Sequence, residues 1–499
     1  MKLSSLLSCV TALLSLTPMF PSIARAAADE SKLIDLNSRR ELMVDDFLIS
    51  SMEGVELKLH KPEARDVAIT CDAPWEGNTS AYFTLFKDEG RFRMYYRASH
   101  FDERTKQATH SELSCLAESQ DGLVWAKPDL GVVEFKPSKQ NNIIGWEPEK
   151  HQAAAPLAPG TPTLTRTHNF APFKDTSPHC EPGAKYKALA GGMRIEKAVK
   201  VCCLYAYHSA DGVTWSKTSD EPVITHGAFD SQNIAFYDTV RGEYRAYWRY
   251  FVKGYTDERG WKAEVRSIRT ATSKDFLHWE NEAELHYGDA PTEELYTNAV
   301  MAYERAPQLF IAFPTRFQEK NQQVEPVFMT SRDGVNFKRW TDALIPITAP
   351  KDRDGNRSNY MARGLLQLPS SNRELSVYAT EAYYKGPGSR LRRFVYRTDG
   401  FVSAHASEGT LVTKPFTFTG SELVLNILSK GKTRAELQDA TGNVLPGFAL
   451  NDCTPITADS IEHVVIWKGG PLSAHSGKPV RLRFALKDAD LFALQFKAQ

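Results

Sequence analysis

Ser119-Gln-Asp121-Gly122-Leu-Val-Trp125 returns along the chain as Ser209-Ala-Asp211-Gly212-Val-Thr-Trp215, Ser273-Lys-Asp275-Phe-Leu-His-Trp279 and Ser331-Arg-Asp333-Gly334-Val-Asn-Phe337. A worn copy follows at Arg397-Thr-Asp399-Gly400-Phe401. Successive Asp residues lie 90, 64, 58 and 66 positions apart. Units of this size, rich in short apolar-aromatic strands, predict radially repeated sheets. Each part of the turn has a structural use. The Asp accepts turn amides, the Gly permits positive φ, and the aromatic packs between strands. These acids are therefore expected to hold turns and to take no part in catalysis.

Each repeat has one order. A polar cluster with Asn opens it: Glu76-Gly-Asn78, Thr167-His168-Asn169, Asp230-Ser-Gln-Asn233, Tyr296-Thr-Asn298 and Arg357-Ser-Asn359. An apolar strand follows, then an aromatic one such as Phe92-Arg-Met-Tyr-Tyr96 or Tyr244-Arg-Ala-Tyr-Trp248. A third runs into the Asp turn and a fourth leaves it. Four antiparallel strands per unit make a propeller blade, so five openings and five turns predict a five-bladed β-propeller. Val55-Glu-Leu-Lys-Leu-His60 reads as a strand that closes the last blade. Insertions at 136–162 and 352–356 read as surface loops. After residue 403 the repeats stop, and strand-like runs such as Pro479-Val-Arg-Leu-Arg-Phe-Ala-Leu486 predict a β-sandwich over 404–499. The whole chain reads as all-β. The sandwich is expected to buttress the propeller.

The N-terminus has the form of an export signal. Lys2 precedes the apolar run Leu6–Leu16, and Ala24-Arg25-Ala26 supplies small residues for cleavage after Ala26. The expected organisation is a signal peptide over 1–26, a propeller over 27–403 and a sandwich over 404–499, in the periplasm or outside the cell. Removing the signal leaves 59 basic and 61 acidic residues. So balanced a charge gives no reason to expect nucleic acid or an anionic membrane as partner, and no other segment is apolar enough to span a bilayer. Six cysteines remain, Cys71, Cys115, Cys180, Cys202, Cys203 and Cys453. Their spacing matches no zinc site, and they read mostly as buried thiols.

The strand order locates the chemistry. In a blade the third-to-fourth turn and the start of the first strand lie on opposite faces. Reactive groups are therefore expected where first strands begin and second strands end, near the axis. The beginnings supply Glu76, His168, Asp230, Glu293 or Glu294, and Arg357. The ends supply Arg97, Arg249, Arg316 and Glu381. Asn78, Asn169, Gln232, Asn298 and Asn359 lie between them, with Trp75 and Tyr296 as flat apolar faces. Two readings stay open for the Asn residues: caps on backbone groups, or ligand contacts. Carboxylates converging at low dielectric must be paired or used, and the Arg residues leave a structural ion network open as well. A sugar suits such a mouth. Asp45 and Asp46 precede an apolar strand and read as a structural turn.

These features resemble the five-bladed propeller glycoside hydrolases of families 32 and 43. Phrases such as Glu41-Leu-Met-Val-Asp-Asp-Phe-Leu-Ile and Phe229-Asp-Ser-Gln-Asn233 resemble exported family 32-like proteins of planctomycete-type bacteria. The fructosidase run Asn-Asp-Pro-Asn-Gly is absent, and Ala73-Pro-Trp-Glu-Gly-Asn78 stands in its place. The resemblance implies a glycosidase acting on a plant or algal type oligo- or polysaccharide. It implies Glu76 as base or nucleophile, Asp230 as transition-state stabiliser and Glu293 as acid, with Glu294 or Glu381 as substitutes for the acid. His168 stands where relatives carry an acid, to orient substrate, hold a structural ion or donate a proton itself. No other cofactor or metal is implied. The rival readings are a sialidase using Arg97, Arg249 and Arg316, a polysaccharide lyase with His168 or a Tyr as base, and a non-catalytic sugar-binding propeller.

Overall fold

The computed structural model describes residues 33–146, 168–196, 199–256, 262–348 and 359–498. The signal-peptide expectation, residues 147–162 of the insertion expected over 136–162, the insertion from 352 to 356 and Arg357 lie outside the described residues; the described part of the first insertion holds the strand Ile143–Trp146 and is not all loop. The described residues form strands and short 3-10 turns, with no α-helix.

The repeats become successive antiparallel sheets. The first joins Ala81–Asp88, Arg91–Ala98, Leu113–Ser119 and Ile143–Trp146. The second joins Phe173–Lys174, Tyr186–Glu196, Val199–Ser209 and Ser216–Lys217. The third joins Ile234–Asp238, Glu243–Thr256, Lys262–Ser273 and Trp279–Glu284. The fourth joins Val300–Tyr303, Ala306–Ala312, Met329–Ser331 and Phe337–Arg339. In each of these the strands lie in chain order, as hairpin connections require. The last sheet is Glu374–Glu381, Arg390–Arg397 and Glu63–Thr70, edged by the bridges Met361–Ala379 and Leu366–Ser376. The strand that completes it is thus Glu63–Thr70. Val55–His60 lies elsewhere: Glu56–Leu59 pairs with Val402–His405 in the C-terminal sheet.

Every intact Asp turn starts on the last residue of a third strand. Asp121 Oδ1 accepts the amides of Leu123 and Val124 at 2.8 and 2.9 Å, and Gly122 N donates to Ser119 Oγ at 2.8 Å. Asp211, Asp275 and Asp333 repeat this arrangement. Trp125 and Trp215 each donate an indole N–H to the turn Gly carbonyl at 3.2 Å. A tyrosine from a neighbouring sheet fastens three of these turns: Tyr378 to Gly122, Tyr95 to Gly212 and Tyr247 to Gly334. The worn copy differs. Asp399 is fully buried, and its carboxylate takes Arg40 at 2.9 Å and Arg305 at 2.9 Å.

The C-terminal sheet has nine strands, including Val402–Thr413, Glu422–Asp439, Ile456–Val464 and Val480–Lys497. It recruits Ile34–Asp35, Glu41–Leu42, Ile49–Glu53 and Glu56–Leu59 from the other end of the chain. Alternate residues of Val480–Leu486 point into a core with Leu411, Leu425, Leu437 and Trp467. Asp45 holds Arg332 at 2.7 and 3.0 Å, a structural contact. The six described cysteines carry free thiols, with Cys71, Cys115, Cys203 and Cys453 buried.

Candidate active site

The beginnings of inner strands and the ends of their neighbours converge on His168. Its Nδ1 meets Glu112 Oε2 in a short hydrogen bond, and its Nε2 meets Asp230 Oδ1 at 2.6 Å. Three sheets supply this chain: Glu112 precedes Leu113–Ser119, His168 precedes Phe173–Lys174, and Asp230 precedes Ile234–Asp238. Arg97, buried at the end of its strand, reaches Glu112 at 3.2 Å, Asn169 Oδ1 at 3.1 Å, the Thr79 carbonyl at 3.0 Å and Tyr383 Oη at 2.8 Å. Arg249 stands 3.9 Å from Asp230 and 4.8 Å from the Tyr296 ring. Tyr82, Tyr296, Tyr360 and Tyr383 pack edge to face or tilted around this group. Positive φ values cluster here, at Tyr82 (59°), Asn169 (54°) and Ala382 (56°). Non-glycine residues adopt that conformation at a cost, which is often stored at functional sites.

The protonation states follow from the packing. Hydrogen bonding from His168, with burial opposing it, holds Asp230 at about 2. Burial pushes Glu112 upward, but Arg97 and His168 outweigh it and bring the group to about 2. Burial pushes His168 downward, yet its bonds to Asp230 and Glu112 raise it to about 9. At neutral pH the site is an imidazolium between two carboxylates. Only one of these is open: the Asp230 side chain is 68% exposed, against 27% for Glu112 and 25% for His168. The carboxylates occupy opposite nitrogens of the ring. Among the described residues no group of three His, Cys, Asp or Glu side chains is arranged to hold a metal ion.

Glu76 and Glu293 are not joined to this centre by any hydrogen bond or ion pair among the described residues. Glu76 is shut from solvent; Tyr96 Oη, Lys127 Nζ and Ala73 N bond its two oxygens at 2.5, 2.6 and 2.9 Å. Glu293 is clamped by Arg316 at 2.7 Å and by Arg339, and Arg316 also holds Glu325. Glu294 pairs with Arg266 and Glu381 with Arg390 and Arg392. Cations therefore occupy each of these acids. The Asn residues divide in the same way. Asn78 bonds Phe101 backbone, Asn298 the carbonyls of Gln232 and Tyr247, and Asn359 that of Ile345. Gln232 reaches Thr84 Oγ1 and the carbonyls of Tyr82 and Phe83. Asn169 bonds the ionised centre, through Arg97 and His168. Trp75 packs at the outer strand, donating to Asn142. No repeated pattern in the sequence marks Glu112, Tyr82, Tyr360 or Tyr383. Glu112 opens a third strand, a position with no repeated signature.

No family model matches the chain, and no curated protein matches it. Solved structures do. One described as a glycoside hydrolase is 14% identical, with a TM-score of 0.42, covering 67% of this chain and 92% of its own. An N-acetylgalactosamine deacetylase from F. plautii, in complex with blood group B trisaccharide, is 15% identical, with a TM-score of 0.39, covering 68% and 95%. A β-1,2-mannobiose phosphorylase from Listeria innocua is 10% identical, with a TM-score of 0.41, covering 68% and 97%. The functional reading rests on the residues of this chain.

Proposed function

We propose that this protein is an exported glycosidase, built as a five-bladed β-propeller with a C-terminal β-sandwich. The tyrosine contacts that carry one sheet to the next turn support the ring, and the N-terminal sequence supports export. Residues 33–59 go with the sandwich in this reading, because their strands pair there.

One observation carries the activity: an exposed, ionised Asp230 hydrogen-bonded to a charged His168 beside tyrosines and arginines. A glycosidase needs an ionised group and a proton donor on either side of the scissile bond, about 5–9.5 Å apart, so productive binding must part Asp230 from His168 Nε2. Asp230 is the ionised group, activating water or stabilising the oxocarbenium-like charge. His168 Nε2–H is the donor to the leaving oxygen. Glu112 keeps the ring protonated and fixes its orientation, and Arg97 fixes Glu112. The tyrosine faces stack on sugar rings, while Arg249 and Asn169 offer donors to hydroxyls. Glu76 and Glu293, expected as base and acid, take structural roles in this proposal.

The lyase reading needs a neutral His168 or a tyrosine with a lowered pKa, and, against burial, the bonds to Asp230 and Glu112 raise His168 to about 9. Burial instead pushes Tyr383 up to about 12, despite Arg97 beside it. The test is a panel of polysaccharides and aryl glycosides assayed for reducing ends and for ultraviolet absorbance. Asp230→Asn and His168→Gln should each reduce turnover by about 10²- to 10⁴-fold while the far-ultraviolet circular dichroism shows the fold retained. Unsaturated, absorbing products would establish a lyase, and full activity in Asp230→Asn would overturn the assignment.

A further inference from the structure

At the opposite ends of the same inner strands lies a cavity of about 670 Å³. That volume is typical of a small-molecule site. Phe86, Phe236 and Tyr237 form part of its wall, and exposed Lys87 stands at its rim. Arg363 also lines it. The backbone fixes this arginine firmly: its N–H bonds the Phe83 carbonyl at 2.9 Å, and its carbonyl accepts Leu85 N at 2.8 Å. Gly364 follows at φ 152°, where an added Cβ would meet the Leu85 carbonyl at 2.7 Å. The main chain that carries the guanidinium is therefore held in place.

Arg363 is 8% exposed and forms no ion pair among the described residues. Its Nε has no hydrogen-bond partner, and its guanidinium stands 5.9 Å from the Phe236 ring. Burial acts alone on it and lowers its pKa to about 10. Two neighbouring cations of the cavity are already committed, Lys174 to Asp88 and Arg305 to Asp399. Burying a charge without a partner is unfavourable. A ligand that pairs with it recovers that cost.

We infer that this cavity is a second ligand site, in which Arg363 holds a small oxyanion: sulfate, phosphate or carboxylate, free or carried on a sugar ring. A planar guanidinium matches two oxygens of such a group, and the aromatic wall suits the face of a ring. The site lies at the far end of the inner strands from Asp230 and stands independently of the reaction proposed there.

Calorimetric titration of the full chain with sulfate, phosphate and galacturonate, at constant ionic strength, tests it. Saturable binding is expected, weakened on the order of tenfold or more in Arg363→Gln and unchanged in His168→Gln. Binding of galacturonate without the free anions would identify the sugar-borne source. Ala302→Phe narrows the cavity while leaving Arg363 in place, and should weaken binding equally if Arg363→Gln fails to fold. Selenate soaked into wild-type crystals should give an anomalous peak within hydrogen-bond reach of Arg363. Binding that survives both cavity variants, no saturable binding at all, or loss only in His168→Gln would each overturn the inference.

Discussion

His168 owes its charge to two carboxylates from other parts of the chain. The consequence for pH can be signed. Its folded pKa of about 9 lies above the ordinary 6.5, so its contribution to stability is complete below pH 6.5 and disappears as pH rises through 9. Asp230 and Glu112 sit at about 2, below their ordinary 3.8 and 4.5, so theirs is complete above those values and lost as pH falls through 2. The difference in melting temperature between wild type and His168→Gln should therefore be widest near pH 5 to 6 and close by pH 9. A difference that grows with pH would contradict the charged state. Turnover should fall over the same alkaline range as the donor loses its proton. Phe276 shows a different compromise. It occupies the glycine position of the third Asp turn at φ 70°, an unfavourable conformation for a side chain, yet its ring is buried against Phe173 and Tyr244. Phe276→Gly should relax the backbone but empty a core site, for a net loss of about 2–4 kcal/mol in denaturant unfolding.

Among elements, the Asp turns and the inner-strand openings look equally acidic in sequence and have opposite uses. Asp211 spends its carboxylate on the amides of Val213 and Thr214. Asp211→Ala should cost about 1 kcal/mol, as loss of a comparable amide cap does, and leave turnover unchanged. The two effects are separated by measuring unfolding and activity on one preparation. A large loss of turnover with the fold intact would reverse the assignment of faces. Strand openings carry the ionised centre because Glu112, His168 and Asp230 each stand just before a strand of a different sheet.

For the whole molecule, the decisive tie is between the N-terminal segment and the remainder. Arg40 binds Asp399, which also takes Arg305 and the hydroxyl of Tyr303. Gln308 donates to the Arg40 carbonyl. Strands from residues 34–59 complete the C-terminal sheet, and Glu63–Thr70 completes the last repeat sheet. Removing one partner of a buried ion group leaves the other charged and unpaired. Asp399→Ala should cost about 3–5 kcal/mol and lower the transition of repeats and C-terminal sheet together. Two separated transitions in calorimetry would instead show that the two regions unfold independently.

The sequence by itself determined the all-β class, the period of the repeats and the structural use of the Asp turns, because these follow from contacts within a few residues. Ser119, Asp121, Gly122 and Trp125 satisfy one another locally, so their spacing announces the turn. It also marked His168, Asp230, Arg97 and Asn169, since strand order brings inner-strand openings together. Tertiary structure alone decided the rest. Glu76 and Glu293 carry carboxyl groups like Asp230, but Lys127 and Arg339, 51 and 46 residues away, pair with them. Glu112 joins His168 across 56 residues, and Asp399 left its turn role for Arg40 across 359. Which carboxylate stays exposed and which is consumed by a cation depends on contacts between distant segments, and no local pattern of residues encodes that pairing.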